Sequence, residues 1–309
     1  MLTPQQLEER LNYITGSDAS VICGLSQYKN RVQLWQEKTG KLPLEDRSTA
    51  YGIDYGNYME PATAKWFSDA SGKELLQPPP PGQSLVVCKK YPFMAGNFDY
   101  KLKDENAVLE CKTAGMPGEK WGSGENKIPP AYLMQDAHYC IVNEFDRAYT
   151  AVVFAFTRTM HYYHYDRNSN LEDALIEKEH DFYYNHIKAD IPPEPLTYDE
   201  VKSLYSEIKS DPVIATPEAT DFYYEFLRLQ QKIKLLEAEE SDLKDKIACA
   251  FGEHDTLLSM SGEILATFKE SKQPEMFDKK KFKSEFPELY EKFVYLGKTK
   301  RTLRTKNKG

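Results

Sequence analysis

The stretch from Met94 to Lys112, MAGNFDYKLKDENAVLECK, concentrates side chains able to do polar chemistry. Read as a hairpin turning at Asp104-Glu105, it pairs residues whose numbers sum to 209. Phe98, Tyr100 and Leu102 then share an apolar face with Ala107, Leu109 and Cys111. The other face carries Asn97, Asp99, Lys101 and Lys103 against Asn106, Val108, Glu110 and Lys112, the alternation of a half-buried sheet. In this register Asp99 lies opposite Glu110, with β-carbons about 5 Å apart. Carboxylates so placed repel unless one is protonated or a cation lies between them. With Lys112 on the same face, the group has the parts to hold a hard divalent cation through oxygen and to position a water beside it. A surface hairpin with scattered charges carries the same residue types, so this stretch alone leaves both readings open.

Two further segments bear on the choice. Glu60 precedes Pro61, and a proline there predicts that the helix restarts or kinks, turning a third acid away from the packed face. In Pro130-Ala131-Tyr132-Leu133-Met134-Gln135-Asp136-Ala137-His138-Tyr139-Cys140-Ile141, Pro130 suits a helix start. Tyr132, Gln135, His138 and Tyr139 then line a polar-aromatic side, and Leu133, Ala137, Cys140 and Ile141 supply packing. Taken alone, Gln135 reads as an ordinary surface glutamine.

The elements that must position these groups are punctuated by two proline clusters, Pro78–Gly82 and Ile191–Pro195, neither of which fits inside a helix or a central strand. Before the first, the pattern is helical, around Pro4–Leu11, after Ser17, at Val32–Lys38 and through Ala50–Ser71. Between the clusters it predicts strands at Ser84–Cys88, Phe93–Lys103, Ala107–Thr113, Arg147–Thr157 and Met160–Tyr165, with one helix at Pro130–Val142. This is an α/β arrangement, in the α+β sense, over a predicted first domain of residues 1–195. Residues 196–309 read as a helical C-terminal region whose long helix, about 218–250, keeps a strict four-three apolar spacing from Phe222 to Ala250, broken by Glu240. Such a seam packs along another helix, either within the chain or from a partner.

Composition excludes several classes. The longest apolar run, Ala151–Phe156, is far short of the roughly 20 residues a membrane span needs. The start, Met1-Leu2-Thr3-Pro4, has neither basic nor apolar leader character, which predicts a cytoplasmic protein. Five scattered cysteines with no C-x-x-C pair argue against a disulfide framework, structural zinc or a four-cysteine cluster. The net charge of −8 conceals an asymmetry: Lys269–Gly309 carries a net +7 and the rest −15, so overall acidity does not exclude a phosphate-bearing partner. The acid-free tail Lys298–Lys308 reads either as a solvated end or as a contact to a DNA backbone.

Taken in order, these pieces resemble the YqaJ-type viral recombinase family, whose best-known relative is phage lambda exonuclease, within the PD-(D/E)XK nuclease superfamily. The resemblance rests on Arg10-Leu11-Asn12-Tyr13-Ile14-Thr15-Gly16-Ser17, Gly56-x-x-x-Glu60, Gly96-Asn97-Phe98-Asp99, Leu109-Glu110-Cys111-Lys112 and Ala131-Tyr132-x-x-Gln135. Phe98 stands where the superfamily's proline would be, and the likeness does not extend beyond about Pro195. It implies a restriction-endonuclease-like core, a central mixed sheet flanked by helices. It implies Glu60, Asp99, Glu110 and the Cys111 carbonyl as ligands of Mg²⁺ (Mn²⁺ as substitute), two ions per site. It further implies Lys112 beside the hydrolytic water, Gln135 in support, and Arg10 and Ser17 at a 5′-terminal phosphate. Tyr132, His138 and Tyr139 are candidate DNA contacts.

The implied activity is a 5′→3′ exonuclease on linear double-stranded DNA, of phage or prophage origin. It would leave 3′ overhangs for a single-strand annealing protein and work as a homo-oligomer, a ring-like trimer in the family. A nuclease of other polarity, RecB-like or Cas4-like, or an inactive DNA-end scaffold are the alternatives; the scattered cysteines weigh against the iron–sulfur members.

Overall fold

The computed structural model describes residues 4–43, 51–78, 85–116, 121, 128–205, 211–269, 276–295 and 303–304. Most of the basic tail Lys298–Lys308 and part of the first proline cluster lie outside them. Contacts divide the chain into two compact units, Met1–Ile208 and Lys209–Gly309.

The first unit is a mixed α+β fold. Its helices α1 (Pro4–Arg10), α2 (Gly16–Ile22), α3 (Arg31–Lys38) and α4 (Tyr51–Ser71) precede the strands β1 (Val86–Val87), β2 (Ala95–Gly96), β3 (Tyr100–Lys101) and β4 (Ala107–Ala114). Helix α5 (Pro130–Asn143) then crosses over to β5 (Arg147–Phe154), and β6 (Thr159–Asp166) returns beside it. Helix α6 (Ser169–Asp181), a π-helical segment (Phe182–Lys188) and α7 (Tyr198–Leu204) complete the unit. Helix α7 is held to the start of α3, where Arg31 N donates to Glu200 Oε1 at 3.2 Å.

The central sheet has the order β3-β4-β5-β6, with β4 and β5 parallel and the outer pairs antiparallel. Tyr100 pairs with Leu109 and Lys101 with Val108, which is the register expected from the sequence. The sheet is covered on both faces rather than half-buried. Leu109, Tyr149 and Ala151 pack on one face with Ala64 and Phe67 of α4. Val108, Ala148, Val152 and Phe154 pack on the other with Ala137, Cys140 and Ile141 of α5. A central strand covered on both faces reads as a nearly continuous apolar run, and β5 does so in Ala148-Tyr149-Thr150-Ala151-Val152-Val153-Phe154.

Two expectations change. Helix α4 runs through Pro61 without a break, so Glu60 is carried on a continuous helix. The segment Phe93–Lys103 is two short strands rather than one, because the link between α1 and α2 inserts beside it. Ile14 N donates to Phe93 O and Ala95 N donates to Ile14 O, both at 2.8 Å, in a parallel bridge to Met94.

In the second unit α8 (Pro217–Phe251) starts at Thr216, whose side chain accepts from Ala219 N at 3.2 Å. It is followed by the hairpin β7 (Thr256–Leu258) and β8 (Ile264–Thr267), then by α9 (Lys279–Glu285) and α10 (Pro287–Phe293). The expected packing of the heptad seam along another helix of the chain is not seen among this unit's described residues. Helices α9 and α10 have seven residues each, too short to cover it, and its apolar side chains stay exposed.

Candidate active site

A cavity of about 360 Å³ opens beside the β3–β4 pair, lined among others by Gly56, Glu60, Asp99, Glu110, Lys112 and Tyr132. Strand β4 supplies Glu110 and Lys112 on the face that packs toward α5, so Gln135 of α5 meets both. Gln135 Nε2 donates to Glu110 Oε1 at 2.8 Å, and Lys112 Nζ donates to the same oxygen at 2.6 Å and to Gln135 Oε1 at 3.0 Å. Asp99 is fixed from the backbone, its Oδ2 accepting from Cys111 N at 2.8 Å. The other carboxylate oxygen of Glu110, Oε2, is buried without a hydrogen-bond partner.

The electrostatics follow from this crowding. Burial and then the charges of Glu110 and Glu60 push the Asp99 carboxyl well above its ordinary range. Glu60 is also raised, by burial and by Glu110. Burial would lower the Lys112 ammonium, but Glu110 and Asp99 outweigh it and hold it above its usual value, so it stays charged at neutral pH. Lys112 is therefore a fixed cation here. Among the described residues no three acids, histidines or cysteines are drawn close enough to form a finished metal cage. Glu60, Asp99 and Glu110 share the cavity without closing on one point.

A second cluster adjoins the first. Arg10 Nη1 donates to Asn97 Oδ1 at 2.8 Å, and Nη2 donates to Thr15 Oγ1 at 2.9 Å and Ser17 Oγ at 3.0 Å. The Ile14–Met94 bridge brings these together, for it lays Thr15 and the start of α2, with Ser17, beside the strand that runs into Asn97 and Asp99. Behind them Lys38 pairs with Asp18 at 2.7 Å and donates to Arg10 O at 2.8 Å and Tyr13 O at 2.6 Å. Burial would raise Asp18, but the Lys38 ammonium outweighs it and holds the carboxyl at about 2.

Tyr139 joins the clusters. Its hydroxyl accepts from Gln135 Nε2 at 2.9 Å, and burial with the charges of Glu110 and Asp99 raises it far above its usual value against the pull of Arg10. Its ring fits because two residues lack a Cβ. One built on Gly16 would come within 2.6 Å of the ring, and one on Gly96 within 3.1 Å. This is a close-approach role for both glycines.

Of the candidate DNA contacts, Tyr132 lines the cavity, its ring 5.1 Å from Lys112 Nζ and stacked on Trp121. His138 and Tyr139 are buried, and direct contact with a duplex does not fit them. His138 is fully enclosed, Nδ1 2.9 Å from Glu179 Oε1 and Nε2 3.0 Å from Ala95 O. Sequence reasoning passed over Asn97, Asp18, Lys38 and Glu179. Asn97 had a signal, two residues before Asp99 in a glycine-led segment; the other three depend on contacts between distant segments.

A mixed sheet flanked by helices, presenting two acids and a lysine beside a third acid from a neighbouring helix, defines an α+β protein with a carboxylate–lysine centre. Residues 6–146 match the YqaJ-like viral recombinase domain. It is 28% identical over 299 residues to the uncharacterized protein YqaJ of Bacillus subtilis (strain 168), covering 94% of this chain and 91% of that one. Among solved structures it is similar to an alkaline exonuclease, LHK-Exo, from Laribacter hongkongensis, with a TM-score of 0.48 and 14% identity over 61% of this chain and 94% of that one. A phage-related exonuclease from Haemophilus somnus 129PT gives a TM-score of 0.38 and 13% identity over 58% and 96%. No helix among the described residues is long and apolar enough to cross a membrane.

Proposed function

We propose that this protein is a metal-dependent 5′→3′ exonuclease that degrades one strand of linear double-stranded DNA and leaves a 3′ overhang for a single-strand annealing protein. The observation that carries the reading is Glu110. One of its oxygens is held by Lys112 and Gln135, while Oε2 is buried and unpartnered, and Glu110 lines the cavity together with Glu60 and Asp99. A buried, orphaned carboxylate oxygen beside a carboxyl driven up by burial and by its neighbours' charge is the donor set that a hard cation satisfies. Glu60, Asp99, Glu110 and the Cys111 carbonyl would hold Mg²⁺, or Mn²⁺ in its place, two ions in the full site. When bound, the metal supplies charge stabilisation for the attacking and leaving oxygens of an in-line displacement at phosphorus.

The chain's own residues do the rest. Lys112, which donates to Glu110, offsets charge on the scissile phosphate and orients a water by donating to it. Gln135 fixes the plane of the Glu110 carboxylate, and Cys111 N fixes Asp99. Arg10 presents a guanidinium fork already oriented by Asn97, Thr15 and Ser17, suited to a terminal phosphate. Anchoring the 5′ end there sets the polarity, because Asn97 lies two residues from Asp99. The family's ring-like trimer would keep the enzyme on its substrate, and the activity belongs in the host cytoplasm.

The test uses linear duplex DNA labelled separately at the 5′ and 3′ ends, with Mg²⁺, beside Asp99→Ala. Metal-dependent early release of the 5′ label, lost in the variant, is expected. Early release of the 3′ label, or cutting of closed circles, refutes the polarity. DNA ends that are bound but never digested refute the enzyme.

A further inference from the structure

The second unit buries almost none of its apolar side chains: among its described residues Phe251 alone is buried. Along α8 the seam is open to solvent, with Leu229 and Leu236 each 53% exposed and Leu243 58%. We propose that α8 pairs with α8 of a second copy of this chain as an antiparallel two-helix coil. This is independent of the nuclease reading, since it uses none of the residues assigned to the site.

The seam is that of a helix pair. One of its two alternating positions carries Phe226, Ile233, Glu240 and Ile247, the other Phe222, Leu229, Leu236, Leu243 and Ala250. The flanks are complementary to a copy of themselves. In an antiparallel pair whose facing seam residues sum to 469, Lys232 comes beside Glu239 of the second copy and Glu225 beside Lys246. Two-fold symmetry repeats both contacts, and no like charges meet. A parallel pair also finds opposite charges, Lys232 with Glu237 and Glu239 with Lys244, so the flanks alone do not choose a direction.

Glu240 chooses it. In a parallel coil Glu240 faces Glu240 in the seam, two like charges in one desolvated layer. In the antiparallel coil it faces Leu229, and the two copies of Glu240 stand about 16 Å apart along the axis. Each can keep the bond to its own Lys244, 2.8 Å away on the same helix.

Two measurements on the full-length protein test this. Light scattering should give wild type at least twice the mass of Leu229→Glu/Leu236→Glu, whatever the first unit does by itself, while circular dichroism shows the variant folded. For direction, two differently tagged chains are co-expressed in a Cys249→Ser background, one carrying Phe222→Cys and the other Ile247→Cys, positions that face each other only when antiparallel. An oxidised cross-link between the two tags, absent when both chains carry Phe222→Cys, is expected. Equal masses for wild type and the double variant overturn the proposal, and a self-cross-link at Phe222→Cys overturns its direction.

Discussion

Replacing Asp136 with asparagine should make the protein more stable at neutral and alkaline pH and leave it nearly unchanged below pH 3.8. Asp136 is fully buried on α5, one residue from Gln135. Its Oδ2 accepts from Thr150 Oγ1 at 2.7 Å, and its Oδ1 has no partner. Burial, set against that single hydrogen bond, pushes its pKa from 3.8 up to about 7. The sign follows from which state binds the proton. Between pH 3.8 and about 7 the unfolded chain has released it and the folded chain still holds it, so stability falls as pH rises through this window. A shift of about 3 units at about 1.4 kcal/mol each makes the full loss about 4 kcal/mol. Asparagine has the shape of the protonated acid and does not titrate. The advantage of Asp136→Asn over wild type should therefore grow by about 2–3 kcal/mol from pH 5 to pH 8, or about 1 M in urea midpoint. Urea unfolding of both proteins, in chelator and at several pH values, measures the difference directly. Midpoints that stay parallel across the range would refute the claim that this carboxyl is held protonated.

Asp99→Asn should raise the melting temperature of metal-free protein, by about 1 kcal/mol in stability, because it removes a charge crowded by Glu110 and Glu60 while an amide oxygen still accepts from Cys111 N. It should also erase the stabilisation that Mg²⁺ gives wild type; thermal scans with and without the metal read both, and a retained Mg²⁺ increment would count against Asp99 as a ligand. Arg10→Ala should slow digestion of 5′-phosphorylated ends about 10–100-fold, the worth of one or two charge-assisted hydrogen bonds, and scarcely affect 5′-hydroxyl ends. Equal slowing of both would remove the phosphate role.

The parts of the fold legible in the sequence are those set by local pattern. The alternation of Asn97–Lys103 against Asn106–Lys112 settles which residues share a face, and a one-residue slip would have put Leu109 in the place of Glu110. The observed Tyr100–Leu109 pairing is in that register. Pro61 misled because proline is weighed by its lost hydrogen bond, whereas α4 is held through that point by Ala64 and Phe67 packing on the sheet. The heptad seam was legible as a seam, but nothing in a repeat says which molecule covers it. His138 misled for the opposite reason. Its spacing puts it on the side of Gln135, but the residues that enclose it, Ala95 and Glu179, lie 43 and 41 positions away.

That enclosure explains how a helix can hold one side chain against the site without being part of it. Three polar groups within a single turn of α5 are tied to different elements: Gln135 to Glu110 on β4, Asp136 to Thr150 on β5, and His138 to both Ala95 on β2 and Glu179 on α6. Apolar packing alone tolerates small rotations and slips of a helix at little cost, whereas buried polar bonds lose their partners when it moves. Burial would lower the His138 imidazole, but Glu179 outweighs it and raises it, which favours the charged ring and tightens the tie to α6. The Lys38–Asp18 pair does the same for the segment carrying Arg10, through the carbonyls of Arg10 and Tyr13. Both clusters of the cavity are thus fixed from behind by buried charge. This gives the isolated carboxylate oxygen of Glu110 a defined position before any ligand arrives.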